Sequence, residues 1–70
     1  MTTHQTIPVE SVKRGMGLTI ADPAWGRTTY LIHDVEELHN GEEFVVTYGT
    51  DSGRWTDTTS FEAGALVEAQ

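Results

Sequence analysis

The sequence has no cysteine, which excludes a disulfide framework and a thiolate zinc site. Basic residues are scarce. Lys13, Arg14, Arg27 and Arg54 stand against eleven acids, for a net charge of −7. A phosphate backbone is bound by several Lys or Arg side chains that release counterions, so four scattered cations disfavour classical nucleic-acid binding and attachment to anionic membranes. Long hydrophobic runs are missing too, and no stretch approaches the ~18 apolar residues of a membrane span. Met1 to Thr6 has neither the basic nor the apolar region of a secretory signal. These absences point to a soluble, cytoplasmic protein. There is no room for a second domain, because seventy residues bury only roughly 60 % of their unfolded surface. The expected organisation is a flexible tail over residues 1–6 and one thin-cored domain over 7–70.

What the sequence holds in quantity is β-branched residues: eleven Thr, six Val and three Ile. Their stiff side chains suit a pleated surface. Seven Gly punctuate the chain, with short alternating runs between them, a spacing typical of a small sandwich or barrel. Met16, Leu18 and Ile20 alternate with Gly17 and Thr19 and predict a strand over about 16–21. Asp22-Pro23 stops it, and Asp22 to Arg27 forms a loop before a long strand beginning near Thr28.

Asn40-Gly41 is the clearest local signal, because a type I′ turn needs positive φ at both central residues. Counting outward from it sets His39 opposite Glu42, Leu38 opposite Glu43, Glu37 opposite Phe44, Val35 opposite Val46 and His33 opposite Tyr48. One face then carries Leu31, His33, Val35, Phe44, Val46 and Tyr48. The other carries Ile32, Asp34, Glu36, Leu38, Glu43, Val45 and Thr47. The first is mostly apolar and the second mostly acidic, as a half-buried antiparallel sheet requires. A second hairpin follows through Gly49 to Gly53, with a loop of three, four or five residues and Trp55 returning near Tyr48. At the C-terminus, Ser60 to Gly64 reads as a short helical turn before a closing strand at Ala65 to Glu68. A two-turn helix from Phe61 is the alternative, against which Gly64 costs about 1 kcal/mol.

The segment Val9-Glu10-Ser11-Val12-Lys13-Arg14-Gly15-Met16 resembles the turn that precedes the first strand of SH3-like barrels. The order strand, loop, strand, hairpin, hairpin, short turn, strand is similar across nearly the whole chain. The resemblance implies an all-β, five-stranded antiparallel SH3-like barrel with a short helical turn before the last strand. It assigns no ligand, since the aromatic cage and basic loops of ligand-binding members have no counterpart here.

Few residues invite chemistry. His33 and His39 share a strand face but lie about 20 Å apart at ~3.3 Å per residue, too far for one ion with bonds near 2.1 Å. Glu36-Glu37 and Glu42-Glu43 are adjacent pairs whose members project to opposite faces. Ser11, Ser52 and Ser60 have no neighbouring His to complete a nucleophile–base pair, and Gly15-x-Gly17 precedes its strand where a phosphate loop would follow one. No catalytic residue, metal ligand or cofactor site is expected.

The remaining features concern recognition. Trp25 sits between turn formers beside Arg27, residue types enriched in interface hot spots. It is either an exposed anchor or a lid folded over the core. Asp34, Glu36 and Glu43 make the outward hairpin face acidic, with Ile32, Leu38 and Val45 interspersed. The expected function is a small acidic non-enzymatic protein-interaction module, similar in style to the accessory proteins that phages encode to bind host factors. Its partner would be another protein, with a basic one suited to the acidic face, or a second copy of this chain. The alternative is nucleic-acid binding through Trp25, Trp55, Arg27 and Arg54, with Trp stacking supplying affinity.

Overall fold

A computed structural model describes residues 5–24 and 26–70, without the side chain of Asp22. The β-branched content is realised as six strands: β1 (Gln5–Pro8), β2 (Gly17–Asp22), β3 (Gly26–Leu38), β4 (Glu43–Gly49), β5 (Thr56–Glu62) and β6 (Leu66–Ala69). They form one antiparallel sheet in the order β1-β6-β2-β3-β4-β5. β2 to β5 are a meander of successive hairpins, and the last strand returns beside the first of the meander. The sheet curls around a single core without closing, so β1 and β5 are its edges.

Two expectations are corrected. The sixth strand arises from residues assigned to the tail: Gln5 pairs with Ala69 and Thr6 with Glu68, while residues 1–4 lie outside those described. The helical turn before the last strand is replaced by sheet. Ser60 and Phe61 continue β5, and the chain reverses at Ala63-Gly64, where Gly64 takes φ +83°. The Ala65 N–H donates to Glu62 C=O at 3.1 Å and the Gly64 N–H to Glu10 Oε2 at 2.9 Å. Helical geometry appears instead near the start, as a single 3-10 turn at Val9–Ser11. Its Val9 N–H donates to Ala65 C=O at 2.8 Å, which seats Val9 and Val12 in the core.

The core is thin but continuous. Leu18, Ile32, Val9 and Val46 are fully buried, joined by Val12, Phe44, Tyr48, Val67 and Ala69. The β3–β4 register runs as expected at Leu38↔Glu43, Glu37↔Phe44, Glu36↔Val45, Val35↔Val46 and Asp34↔Thr47. Then it slips. A bulge between Ile32 and Asp34 leaves His33 as the extra residue, so Ile32 and not His33 pairs with Tyr48. A one-residue slip exchanges the faces of a strand, and Ile32, expected outward among the partner-binding residues, is 1 % exposed. The β-branched side chain fills the core where an imidazole would have needed a buried partner.

The β3–β4 turn has the expected positive φ at Asn40 (57°) and Gly41 (89°), with the Glu42 N–H donating to His39 C=O at 3.2 Å. The expected His39–Glu42 pair does not form: the left-handed run begins one residue earlier, at His39 (φ 53°), and Glu42 is right-handed (φ −84°, ψ −21°), so the loop takes in both and regular pairing starts at Leu38↔Glu43. At Gly41 an added Cβ meets only ordinary contacts with the Glu37 carboxyl, so backbone conformation alone resists substitution. Gly41→Val is expected to lower stability by about 1–2 kcal/mol, read as a lower urea midpoint with an unchanged slope. An unchanged midpoint would refute the left-handed assignment.

Candidate binding groove and its aromatic rim

β2 pairs with β3 along its whole length, from Gly17↔Leu31 to Asp22↔Gly26. With β6 it shares only Leu18↔Ala69 and Thr19↔Glu68. Beyond Thr19 the two strands diverge, and the fork opens on a groove of about 360 Å³. Ile20 and Leu66 line its two arms, Thr59 and Phe61 of β5 face them, and the buried Leu18 and Tyr48 lie beneath. Arg27 of β3 forms an ion pair across the fork with Glu68 of β6. Both side chains are partly exposed, so the pair contributes at most about 1 kcal/mol.

An aromatic cluster adjoins the groove through Tyr48. Tyr48 packs against Tyr30 (ring centroids 5.3 Å apart) and Trp55 (6.1 Å), and Tyr30 against Trp55 (5.5 Å). Rings this close touch one another and leave no space for a cation between them, so the cluster is a platform and not a cage. Trp55 nevertheless remains 47 % exposed.

The loop that presents Trp55 is anchored by Gly49 and Thr50. A Cβ at Gly49 would collide with the Trp55 carbonyl oxygen, so only glycine lets β4 approach the loop this closely. The Thr50 N–H donates to Trp55 C=O at 3.0 Å, the Gly53 N–H to Thr50 C=O at 3.0 Å, and the Trp55 N–H to Thr50 Oγ1 at 3.3 Å. His33, re-aimed by the bulge, donates from Nε2 to Thr50 C=O at 2.7 Å.

The expected partner-binding residues are only partly brought together. Trp25 lies outside the described residues; Ala21 and Arg27, which flank its loop, line the groove. Arg27, expected beside it as an anchor, is engaged by Glu68. Ile32 is in the core. Asp34 and Glu36 are exposed, and Leu38, Glu43 and Val45 are half-buried on the same outer face. Glu43 faces Glu62 across β4–β5 and lies 3.5 Å from His39 Nε2. Glu62, Tyr30, Trp55 and Leu66 were not expected in the site. The sequence places Trp55 near Tyr48 without a fixed register, because the β4–β5 loop length is open, and leaves Leu66 between strand and helix. Among the described residues, no three His, Cys, Asp or Glu side chains converge as metal ligands. No family model, curated protein or solved structure matches the chain.

Two outcomes follow from this geometry. Gly49→Ala is expected to destabilise by more than about 2 kcal/mol, in the range of overpacked core changes. It should also shift Trp55 emission to the red in a Trp25→Phe background that isolates the signal. Unchanged emission and melting would refute the close approach. The Tyr48 phenol is held above its ordinary value of 10.0, first by burial, then by the Asp57 carboxylate and Tyr30. A raised folded-state value favours the protonated phenol, so this contribution to stability is fully present below pH 10.0 and is lost as pH rises through the folded value. Urea midpoints should therefore fall on the alkaline side, and Asp57→Asn should lower the Tyr48 titration followed by tyrosinate absorbance. A phenol titrating at or below its ordinary value would contradict the assignment.

Proposed function

We propose that the protein is a small acidic non-enzymatic protein-interaction module that engages its partner through the forked groove and the Trp55 rim. The observation that carries this reading is the placement of the exposed large apolar side chains. Leu66, 67 % exposed, lines the groove, and Trp55 packs on Tyr48, which also lines it. A thin core is expected to bury such residues, and exposed apolar surface rimmed by polar groups is typical of interaction sites. The polar groups lining the groove support a binding role: an Arg–carboxylate pair, a phenol and threonine hydroxyls make no activated nucleophile. On the outer face Asp34, Glu36, Glu43 and Glu62 favour a basic partner and faster encounter with it.

The strand order, with β6 beside β2 and the meander continuing to β5, supports the SH3-like likeness, with β1 added outside it and the barrel left open. Ala21 and Arg27, on either side of Trp25 in the sequence, line the groove, and Trp25 itself lies outside the described residues. A phage-style accessory role, binding a host factor in the cytoplasm, fits the same features. Nucleic-acid binding retains Arg54 beside Trp55 but loses Arg27 to Glu68.

The test is affinity capture from lysate with wild-type protein and Trp55→Ala, with melting measured for both. A partner retained by the wild type and lost by a variant that melts within a few degrees of it is the expected result. Equal retention by the variant, or a mobility shift of DNA or RNA at low salt, would overturn the reading.

A further inference from the structure

We infer that β5 is a docking edge to which an extended segment of a partner protein adds as a seventh strand, and that this segment alternates apolar and basic side chains. The inference rests on the protein-interaction reading and specifies the partner's chemistry. It begins with the phase of the β4–β5 ladder. The Thr50 N–H donates to Trp55 C=O at one end, and the Ala63 N–H to Glu42 C=O, at 2.9 Å, at the other. The main-chain groups of a strand residue point to the same side. Asp57, Thr59 and Phe61 therefore turn theirs to β4, and Thr56, Thr58, Ser60 and Glu62 turn theirs away from the sheet. The Glu62 C=O accepts from Ala65 N–H at 3.1 Å and the Thr58 N–H donates to Asp57 Oδ1 at 2.8 Å. The Ser60 amide and carbonyl lie between these two bonds, at the centre of the edge. The opposite edge is poorer, because β1 has four residues and ends in Pro8, which has no N–H.

The faces of β5 determine what an added strand must carry. Thr59 and Phe61 line the groove, so the side chains of a strand about 4.8 Å away that lie beside them project over the same space, with the Asp57 carboxylate at its end near Tyr48. The intervening side chains fall on the outer face. There the cross-strand rows are Glu62–Glu43–Leu38, Ser60–Val45–Glu36 and Thr58–Thr47–Asp34. Glu62 on β5 and Glu43 beside it, with Glu36 and Asp34 behind them on β3 and a chain net charge of −7, favour lysine or arginine at those positions. A second copy of this chain brings the same acids to the edge and is disfavoured by like-charge repulsion.

The probe is a capped heptapeptide alternating Lys and Val, titrated into the isotope-labelled full chain. Three comparison peptides accompany it: Glu in place of Lys, the same composition with Lys and Val in blocks, and the alternating peptide N-methylated along one backbone edge. Saturable shifts at the Thr56, Ser60 and Glu62 amides, with slowed exchange at Ser60, are expected for the alternating Lys peptide alone. Ser60→Pro removes an outward N–H without touching the β4 ladder and should weaken binding at least about tenfold, the scale of one or two lost hydrogen bonds. N-methylation should do the same even if that variant does not fold. Failure to bind at millimolar peptide, equal binding of the N-methylated peptide, or shifts confined to Asp34, Glu36 and Glu43 would overturn the inference. So would slowed Ser60 exchange in a dimer detected by sedimentation without peptide. Lysate capture that depends on Trp55 but survives Ser60→Pro would leave the interaction reading standing and remove strand addition.

Discussion

The structure depends on one strand serving two partners. β3 spends its first half on β2 and its second half on β4, and the exchange happens at Leu31, which pairs with Gly17 on one side and Gly49 on the other. Both neighbours are glycines for a steric reason. A Cβ at Gly17 would stand 2.9 Å from the Thr29 methyl and one at Gly49 would strike the Trp55 carbonyl. At Gly49 two backbones approach closely, and at Gly17 the absent side chain leaves room for the Thr29 and Gln70 side chains. Around this crossing the sheet can bend enough to bring β2, β5 and β6 to a common groove.

From that crossing the causes run outward in order. The bulge after Ile32 turns Ile32 into the core and His33 toward the β4–β5 loop. The imidazole holds the Thr50 carbonyl, Thr50 holds both main-chain groups of Trp55, and Trp55 rests on Tyr48 and Tyr30. An exposed tryptophan is thus positioned by a polar chain of contacts that starts at an irregularity in another strand. Bulges commonly re-aim side chains near functional surfaces.

Much of this was legible in the sequence where local rules act alone. Asn40-Gly41 specified positive φ, and hydrophobic alternation set the β3–β4 register as far as Asp34. The acidic outer face of Asp34, Glu36 and Glu43 followed by counting. The bulge was not legible, because both Ile32 and His33 fit a pleated strand and the choice between them is made by core packing. β1 was missed because Gln5 and Thr6 carry no apolar pattern; they are held by pairing with Ala69 and Glu68 from the far end of the chain. Arg27 was read as a partner contact since its counter-ion, Glu68, is distant in sequence. The fork between β2 and β6 has no local signature at all: it exists because the pairing of the C-terminal segment with β2, from Gly17–Gln70 to Thr19↔Glu68, stops at Thr19.

That fork also bears on the order in which the fold assembles. The meander from β2 to β5 is built of neighbours in sequence, whereas β6 must find β2, and β1 must find β6, across large loops. Loop-closure entropy sets in before such pairings return any stabilisation, which makes topology a brake on folding rate. Val9, Val12, Val67 and Ala69 reach the core only with these late pairings, so the meander has no finished interior until the chain ends dock. The groove lies along the boundary between the meander and the strands of the two chain ends. It thus lies where segments distant in sequence meet, so its shape depends on pairings made between the two ends of the chain.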